Sequence, residues 1–284
     1  MNFKLNTLVA AVVLSATAMS ASAAIDSNSG NSEFIFSAWD ADAGVGYTYD
    51  LNWNKFLNDF IGVDQAASAA GNALLAANAK VSASLIGANG VIFDDVLTGL
   101  PFSGASLANA QWNLTAFDNV GRTRVLVTQG DDGLPFAQTN NQAKAVATAL
   151  SVYAPNSNGF IVGGPVEDGY ALTVQADGSG YAGISGNNFV NNTVDTTNAF
   201  GGSSNIFLLA PTTQASSAAA SFVQQLTSVS GDAIVARTYL QDGAWRLNIS
   251  AVTVAAVPEP ETYGMLLAGL GLIGGIARRR NKTA

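Results

Sequence analysis

The chain has 284 residues, enough for one large domain, and its composition excludes several classes of function. It contains no cysteine and no histidine, which excludes disulfides, thiol nucleophiles, Ser-His catalysis and metal sites built on thiolate or imidazole. Residues 24–257 hold seven basic and eighteen acidic side chains, a net charge of −11, so nucleic acid is not an expected partner.

The first 23 residues have the three parts of a secretory signal peptide. Lys4 supplies the basic start, residues 8–14 are the centre of an apolar stretch, and Ala21-Ser22-Ala23 forms a small-residue cleavage site. We expect the Sec export machinery to carry the chain through the inner membrane and cleavage to follow Ala23. The apolar stretch is shorter than the roughly 20 residues of a spanning helix, which disfavours a permanent N-terminal anchor.

The body that follows has several segments in which apolar and polar residues alternate, the pattern of half-buried strands. Strands are predicted at residues 33–39 and 47–51. Hairpins are predicted between 81–86 and 91–93 through Asn89-Gly90, between 112–116 and 123–127 past Gly121, between 170–174 and 181–184 through Asp177-Gly178, and between 234–240 and 245–251 through Asp242-Gly243. In the last of these strands, Trp245, Leu247, Ile249 and Ala251 are predicted to face the core, and Arg246, Asn248 and Ser250 the opposite side.

Helices are fewer. One is predicted over residues 64–80, capped by Asp64; a second begins with a capping box of Thr139 and Gln142 and ends at Pro155; a third covers residues 214–228. Hairpins with isolated helices predict a mainly β fold, an antiparallel β-sandwich with a few helical insertions, in a single extracellular domain at residues 24–254. Asn, Thr and Gly predominate between residues 187 and 204, which predicts a long surface loop.

The C-terminal end has a pattern of its own. The sequence Val-Pro-Glu-Pro-Glu-Thr-Tyr at residues 257–263 precedes an apolar run to residue 277, and Arg278, Arg279 and Arg280 follow. The two prolines make an extended, accessible segment. We therefore expect a linker at residues 255–262, a short hydrophobic transmembrane helix at 263–277, and a basic cytoplasmic tail at 278–284, because arginines stay on the cytoplasmic side.

This arrangement resembles the PEP-CTERM sorting signal of Gram-negative bacteria, in which Val-Pro-Glu-Pro, a variable residue, Thr and an aromatic precede an apolar helix and an arginine cluster. The resemblance implies recognition by an exosortase, a membrane-embedded transpeptidase-like enzyme, with transient anchoring, removal or exchange of the tail, and delivery to the cell surface or extracellular matrix. It implies recognition residues Pro258, Glu259, Pro260 and Thr262, and retention charges Arg278, Arg279 and Arg280. Residues 32–50 also resemble the opening of other uncharacterised PEP-CTERM proteins, which implies no activity.

Candidate chemistry in the body rests on carboxylates. Asp40, Asp42 and Gly44 form an Asp-x-Asp-x-Gly pattern that could present two carboxylates to calcium, although the remaining ligands of a full calcium loop are missing. Adjacent acids, which point to opposite faces of a strand and so do not form a ready catalytic pair, occur at Asp94-Asp95, Asp131-Asp132 and Glu167-Asp168.

Tryptophans are the remaining candidates for binding, since indole rings stack on sugars when they are exposed. Trp112 and Trp245 lie on the apolar faces of predicted strands and are expected in the core, whereas Trp53 has polar neighbours. With no catalytic, cofactor or metal residues assigned, we expect a non-enzymatic surface or matrix protein associated with exopolysaccharide, biofilm or adhesion. Two alternatives stay open: a secreted carbohydrate-active enzyme that uses carboxylates, and a calcium-dependent binding module.

Overall fold

A computed structural model describes residue 25 and residues 31–51, 57–61, 79–119, 123–130, 138–162, 169–184, 196–213 and 217–252. The chain divides into two compact units, Met1–Val252 and Thr253–Ala284. The predicted signal peptide, linker, hydrophobic helix and basic tail all lie outside the described residues.

Strands dominate the described part of the body, as the alternating pattern predicts. They are β1 (Ile35–Asp40), β2 (Val45–Asp50), β3 (Lys80–Val81), β4 (Val91–Val96), β5 (Gln111–Asp118), β6 (Arg124–Thr128), β7 (Ile161–Val162), β8 (Tyr170–Val174), β9 (Asn198–Ala199), β10 (Ser203–Ala210), β11 (Phe222–Gln225), β12 (Thr227–Ser228), β13 (Ala233–Gln241) and β14 (Ala244–Val252). The helices are α1 (Leu57–Ile61), α2 (Gly104–Asn109) and α3 (Asn140–Ser157), with short 3-10 turns at Ala83–Leu85, Ala88–Gly90, Asn158–Phe160 and Gln175–Gly180.

Hydrogen bonds join these strands into one path in the order β3-β12-β13-β10-β6-β5-β1-β2-β8-β7. Strand β14 pairs with the other side of β13, β4 pairs with β14, β11 with β10, and β9 with β5. Every one of these pairs is antiparallel except β3 with β12, which is parallel. The predicted mainly β class is confirmed, and the sheet is mixed rather than wholly antiparallel.

One apolar cluster lies on the face of the sheet that carries Phe36, Tyr47 and Trp112. Strands β1, β2, β5, β6 and β10 contribute to it, and so do β13 and β14 through Ile234 and Leu247. The β13–β14 hairpin therefore packs its apolar face into the same core as the β1–β2 hairpin. Full burial of such a side chain contributes about 1.5–3 kcal/mol, so this cluster is the main source of stability in a chain without disulfides.

A second apolar cluster lies on the opposite face and joins the sheet to helix α3. Ile35 and Phe117 from the sheet share it with Leu150 and Tyr153 from the helix. Because β1 places Ile35 in this cluster and Phe36 in the first one, the central strands are buried on both faces. This double burial holds the helix in a fixed position against the sheet.

Two single strands and two of the hairpins predicted from the sequence are confirmed. The segments predicted at residues 33–39 and 47–51 are β1 and β2, and the pairs β5–β6 and β13–β14 form antiparallel ladders. In the β13–β14 turn, Asp242 and Gly243 have φ angles of 52° and 79°. Two positive φ angles match the right-handed twist of the flanking strands, so this two-residue turn fixes the register from Gln241 opposite Ala244 onward.

The hairpins predicted around Asn89-Gly90 and Asp177-Gly178 are wrong, although the chain turns at both places. The φ angles of Asn89 and Gly90 are 61° and 77°, but β4 pairs with β14 and β3 pairs with β12. After Gln175–Gly180 no strand follows in the described residues 181–184, and β8 pairs with β2 and β7. A turn signal predicts the reversal of the chain, whereas the partner of a strand is set by burial and by the other strands available.

Helix α3 begins as predicted and ends later. The side chain of Gln142 accepts a hydrogen bond from the backbone N–H of Thr139 at 2.8 Å, and the hydroxyl of Thr139 accepts one from the N–H of Gln142 at 3.3 Å. The predicted end at Pro155 is wrong, since the helix continues to Ser157. The buried hydroxyl of Ser157 donates to the carbonyl of Ala154 at 2.8 Å, which satisfies the polar side chain of the last helical residue.

The helix predicted over residues 214–228 is wrong, because strands β11 and β12 occupy its second half. Strand β11 pairs with β10 from Ala210 opposite Phe222 to Phe207 opposite Gln225. Phe222 packs against the first apolar cluster and its neighbour Val223 against the second, which is the alternation of a strand. The edge of β10 offers these residues hydrogen bonds that outweigh a weak local preference for helix.

Two further predictions fall partly outside the described residues. Of the helix predicted at residues 64–80, residues 64–78 lie outside the described residues. Its predicted last residue, Lys80, belongs to strand β3. The surface loop predicted at 187–204 is wrong in its last part, because β9 pairs with β5 and β10 begins at Ser203. Thr196 is buried and accepts a hydrogen bond from the side chain of Asn113 at 3.2 Å. Polar composition predicted exposure here, but hydrogen bonds to the sheet allow these polar residues to be buried.

Candidate functional site

A connected group of polar side chains lies on the outer face of β4, β13 and β14, opposite the core. These residues alternate with the buried apolar positions of the same strands. The register places Arg237 opposite Asn248, Asn248 opposite Asp94, and Tyr239 opposite Arg246. We call these five residues the outer-face network.

Asp94 is at the centre of this network. Its Oδ1 accepts a hydrogen bond from Nε of Arg246 at 2.7 Å, and its Oδ2 accepts one from the hydroxyl of Tyr239 at 2.7 Å and one from Nδ2 of Asn248 at 3.0 Å. The ion pair with Arg246 is partly open to solvent, the two side chains being 27% and 25% exposed. Three donors therefore satisfy the single carboxylate of the network.

The pKa of Asp94 follows from these contacts. Partial burial acts to raise it, but the three hydrogen bonds and the positive charge of Arg246 outweigh burial and hold the pKa below its ordinary value of 3.8. Burial and the hydrogen bond to the Asp94 carboxylate raise the pKa of the Tyr239 phenol. At neutral pH the network thus contains a carboxylate anion, a neutral phenol and two guanidinium cations.

Arg237 is the exposed member of the network. Its Nε donates to Oδ1 of Asn248 at 3.2 Å, and its guanidinium carbon lies 4.9 Å from the centre of the Tyr239 ring. Asn248 is itself buried, and its Nδ2 also donates to the carbonyl of Phe93 at 3.2 Å, which fixes the orientation of its amide. Stacking on Tyr239 and the hydrogen bond to Asn248 hold the guanidinium in one place on the surface.

The neighbouring acid, Asp95, points to the opposite face of β4. Its Oδ2 accepts a hydrogen bond from the hydroxyl of Tyr49 at 3.2 Å, on the core side of the sheet. Asp94 and Asp95 are thus separated by the strand, as their alternation predicts, and do not form a pair of facing carboxylates. The other adjacent acids, Asp131-Asp132 and Glu167-Asp168, lie outside the described residues.

Asp40 holds the turn between β1 and β2. Its Oδ1 accepts hydrogen bonds from the backbone N–H groups of Asp42 and Ala43, each at 3.0 Å, and its Oδ2 accepts one from the hydroxyl of Ser106 at 2.9 Å. Gly44 completes the turn with a φ angle of 65°. Within the described ranges, no three acidic side chains come together as a group that could hold a metal ion. The carboxylate of Asp40 therefore stabilises a turn of the kind that aspartate commonly forms with its own backbone.

The tryptophans that the structure describes belong to the core. Trp112 is fully buried, its Nε1 donates to the carbonyl of Ala199 at 2.9 Å, and its ring stacks on Phe36 at 5.7 Å. Trp245 is half-buried and packs against the first apolar cluster, so the core positions predicted for these two residues are confirmed. Trp39 is also buried, and Trp53 lies outside the described residues.

The predicted sorting and cleavage residues are Pro258, Glu259, Pro260, Thr262, Arg278, Arg279 and Arg280, with Ala21 and Ala23, and all of them lie outside the described residues. Helices of the length and apolar character needed to cross a membrane do not occur among the residues that the structure describes.

The sequence contained a signal for four of the five residues of the outer-face network. Alternation in residues 245–251 places Arg246 and Asn248 on the face away from the core, and the same alternation in β13 places Arg237 and Tyr239 there. Asp94 lies about 150 positions earlier, and nothing in its local sequence predicts that β4 pairs with β14. The network could therefore be found only once the strand order was known.

Comparison with known proteins gives one result for the C-terminal end and none for the body. The family model of the PEP-CTERM protein-sorting motif matches residues 256–281. No curated protein and no solved structure matches the chain. The resemblance seen in the sequence of the tail is thus confirmed, and the motif indicates sorting of the chain by an exosortase, with export and processing at the membrane.

Proposed function

We propose that this chain, which carries the PEP-CTERM protein-sorting motif at residues 256–281, is an exported surface or extracellular-matrix protein that an exosortase processes at the inner membrane. The matched motif is the observation on which the proposal rests. The signal-peptide pattern of residues 1–23 agrees with it, since a tail that stops at the membrane is of use only to a chain that is being exported.

The physical features of the tail agree with transient anchoring. The apolar run that begins at Tyr263 has about 15 residues, fewer than the roughly 20 of a stable spanning helix. The three arginines at 278–280 resist transfer across the membrane, so the tail stops with the Pro-Glu-Pro segment at the outer side. Proline on both sides of Glu259 predicts an extended segment that a membrane-embedded enzyme can reach.

For the body we propose a non-enzymatic role in association with exopolysaccharide, as in a biofilm matrix or in adhesion. The outer-face network supports this role, because it places a half-buried phenol ring and the exposed guanidinium of Arg237 on the outer face of the sheet. The Asp94 carboxylate already accepts three hydrogen bonds and has a lowered pKa, which makes it a poor general acid.

The sorting proposal is tested by mass spectrometry of the full chain expressed in a host that has an exosortase and in the same host without it. We expect the C-terminal peptide that ends at Ala284 to be absent from surface material of the first host and present in membranes of the second. Glu259→Gln is expected to block processing. Glu261→Gln removes the same charge at the variable position of the pattern and serves as the control.

Recovery of the intact C-terminal peptide from the surface fraction of the host that has the exosortase would contradict the proposal. Equal processing of the Glu259 and Glu261 variants would contradict the assignment of Glu259 to recognition. The association with polysaccharide is tested separately, by fractionating cells and following the body with an antibody. We expect it in the extracellular polysaccharide fraction and released when that polysaccharide is digested.

A further inference from the structure

We infer that the outer-face network is a binding site for a carboxylate-bearing polysaccharide, with Arg237 as the residue that binds the carboxylate. This inference rests on the proposed association with polysaccharide and names the chemical class of the ligand and the face that binds it. The first observation is the charge of the network. One of its two arginines is paired with the carboxylate of Asp94, and the other is not.

Arg246 and Asp94 neutralise each other. Nε of Arg246 donates to Oδ1 of Asp94 at 2.7 Å, and Nη2 donates to the backbone carbonyl of the same residue at 3.4 Å. Tyr239 and Asn248 complete the coordination of the carboxylate. The network therefore has a charge of +1, which belongs to Arg237.

The side chain of Arg237 is preorganised to bind an anion. Its Nε is held by Asn248, and its two terminal nitrogens make no hydrogen bond with any residue in the part of the chain that the structure describes. Those nitrogens form a planar fork of N–H donors, the geometry that binds both oxygens of a carboxylate. Since stacking on Tyr239 already restricts the side chain, binding loses less conformational entropy than it would for a free arginine.

The shape of the site favours a polymer. The network lies on the outer face of the three paired strands β4, β14 and β13, where Arg237 is exposed, and small-molecule sites are concave. A sheet face contacts an extended chain along several of its units. The ring of Tyr239 is half-buried and carries the Arg237 guanidinium on one face, so a sugar would meet the guanidinium together with the exposed part of the ring. A glycan chain that carries carboxylates fits both the ring and the guanidinium.

Other polymers fit less well. Nucleic acid requires several adjacent unneutralised cations, whereas this network has one. The net charge of −11 on residues 24–257 opposes every polyanion, so the attraction proposed here is local to Arg237. A protein partner requires an apolar centre of contact, and the centre of this face consists of Asp94, Asn248 and Arg237. Charge complementarity at Arg237 therefore selects an acidic glycan.

The test uses the full chain in a non-ionic detergent and measures binding to three immobilised polymers: alginate, which is an acidic glycan, dextran, which is a neutral one, and polyglutamate, which has carboxylates without sugars. We expect binding to alginate that weakens as salt is added, with polyglutamate weaker and dextran weakest. Arg237→Gln should weaken alginate binding about tenfold, and Arg237→Lys should weaken it in part, because lysine keeps the charge and loses the fork.

Lys144→Gln is the matched control, since it removes the same charge from helix α3, which packs on the other cluster. It should bind alginate as the unmodified chain does, and circular dichroism should be the same for all variants.

Equal loss of alginate binding in the Lys144 and Arg237 variants, or no loss in the Arg237 variant, would overturn the site. Equal binding of polyglutamate would overturn the glycan class. Equal binding of dextran and alginate would overturn the acidic ligand and leave the association with polysaccharide standing, whereas failure to bind any glycan would contradict both.

Discussion

The hydroxyl of Tyr153 on helix α3 lies 2.6 Å from Oγ1 of Thr48 on strand β2. The same hydroxyl lies 3.0 Å from Oγ of Ser37 on strand β1. All three side chains are buried. One phenol group thus joins the helix to two strands inside an otherwise apolar layer, and its hydrogen bonds specify how the helix sits on the sheet.

Tyr153→Phe should lower the free energy of unfolding by about 1–3 kcal/mol, because two buried hydroxyls lose their partner while the ring is kept. Urea unfolding followed by tryptophan fluorescence measures the change. Ser151→Ala is the control, since that hydroxyl lies on the same helix but bonds near the surface, and its loss should cost less than about 0.5 kcal/mol. Equal costs for the two variants would show that the buried hydroxyl group does not stabilise the helix.

Asp118→Asn should be more destabilising than Asp94→Asn, although both remove the charge of a carboxylate in a short ion pair. Arg124 and Asp118 lie 2.6 Å apart with side chains 0% and 7% exposed, so the substitution removes a carboxylate charge that faces a fully buried guanidinium. We expect a loss of about 3–5 kcal/mol for this variant, against about 1 kcal/mol or less at Asp94, where water can solvate Arg246. Thermal and urea unfolding of both variants measure the difference, and similar losses would contradict the role assigned to burial.

The sequence predicted best where the structure is local. The type of each residue at the β13–β14 turn determines the backbone there, and the capping box at Thr139 determines the start of α3. Both features depend on residues a few positions apart. The end of the same helix at Ser157 was not predicted, because it depends on the burial of the last turn against the sheet.

Long-range pairing could not be read from the sequence. Phe222 and its neighbours belong to a strand because β10 has an edge beside them, and β4 pairs with β14 across 150 or more positions. Strand β1 was predicted as a strand, but its burial on both faces and its pairing with β5 were not. The outer-face network joins three strands in this way, so its members were predicted singly or not at all.

Gly90→Ala should be more destabilising than Gly243→Ala, because the two glycines have similar positive φ angles and different surroundings. Their φ angles are 77° and 79°. A Cβ on Gly90 would lie 2.5 Å from the carbonyl oxygen of Ala251, whereas one on Gly243 would meet nothing within 4 Å. We expect about 1 kcal/mol for the Gly243 variant from conformation alone, and about 2 kcal/mol or more for Gly90→Ala, where β14 must also shift. Equal unfolding midpoints of the two variants in urea would contradict the close approach of Gly90 to Ala251 on β14.

Tyr153 should also make the protein sensitive to alkaline pH. Burial raises the pKa of this phenol from 10.0 to about 12, even though the hydrogen bonds with Ser37 and Thr48 act to lower it. The phenol of Tyr153 therefore binds its proton more tightly in the folded state than in the unfolded chain. The stability that Tyr153 contributes through this proton is complete below pH 10.0 and is lost as the pH rises toward about 12.

We expect the free energy of unfolding to fall more steeply between about pH 10 and about pH 12 in the unmodified chain than in Tyr153→Phe, which has no phenol to ionise at this position. The other tyrosines ionise in both proteins, so the difference between the two curves isolates Tyr153. Urea unfolding at each pH gives both curves. Parallel curves would mean that the phenol reaches solvent in the folded state, and the packing of α3 against β1 and β2 would then have to be looser than the distances of 2.6 Å and 3.0 Å require.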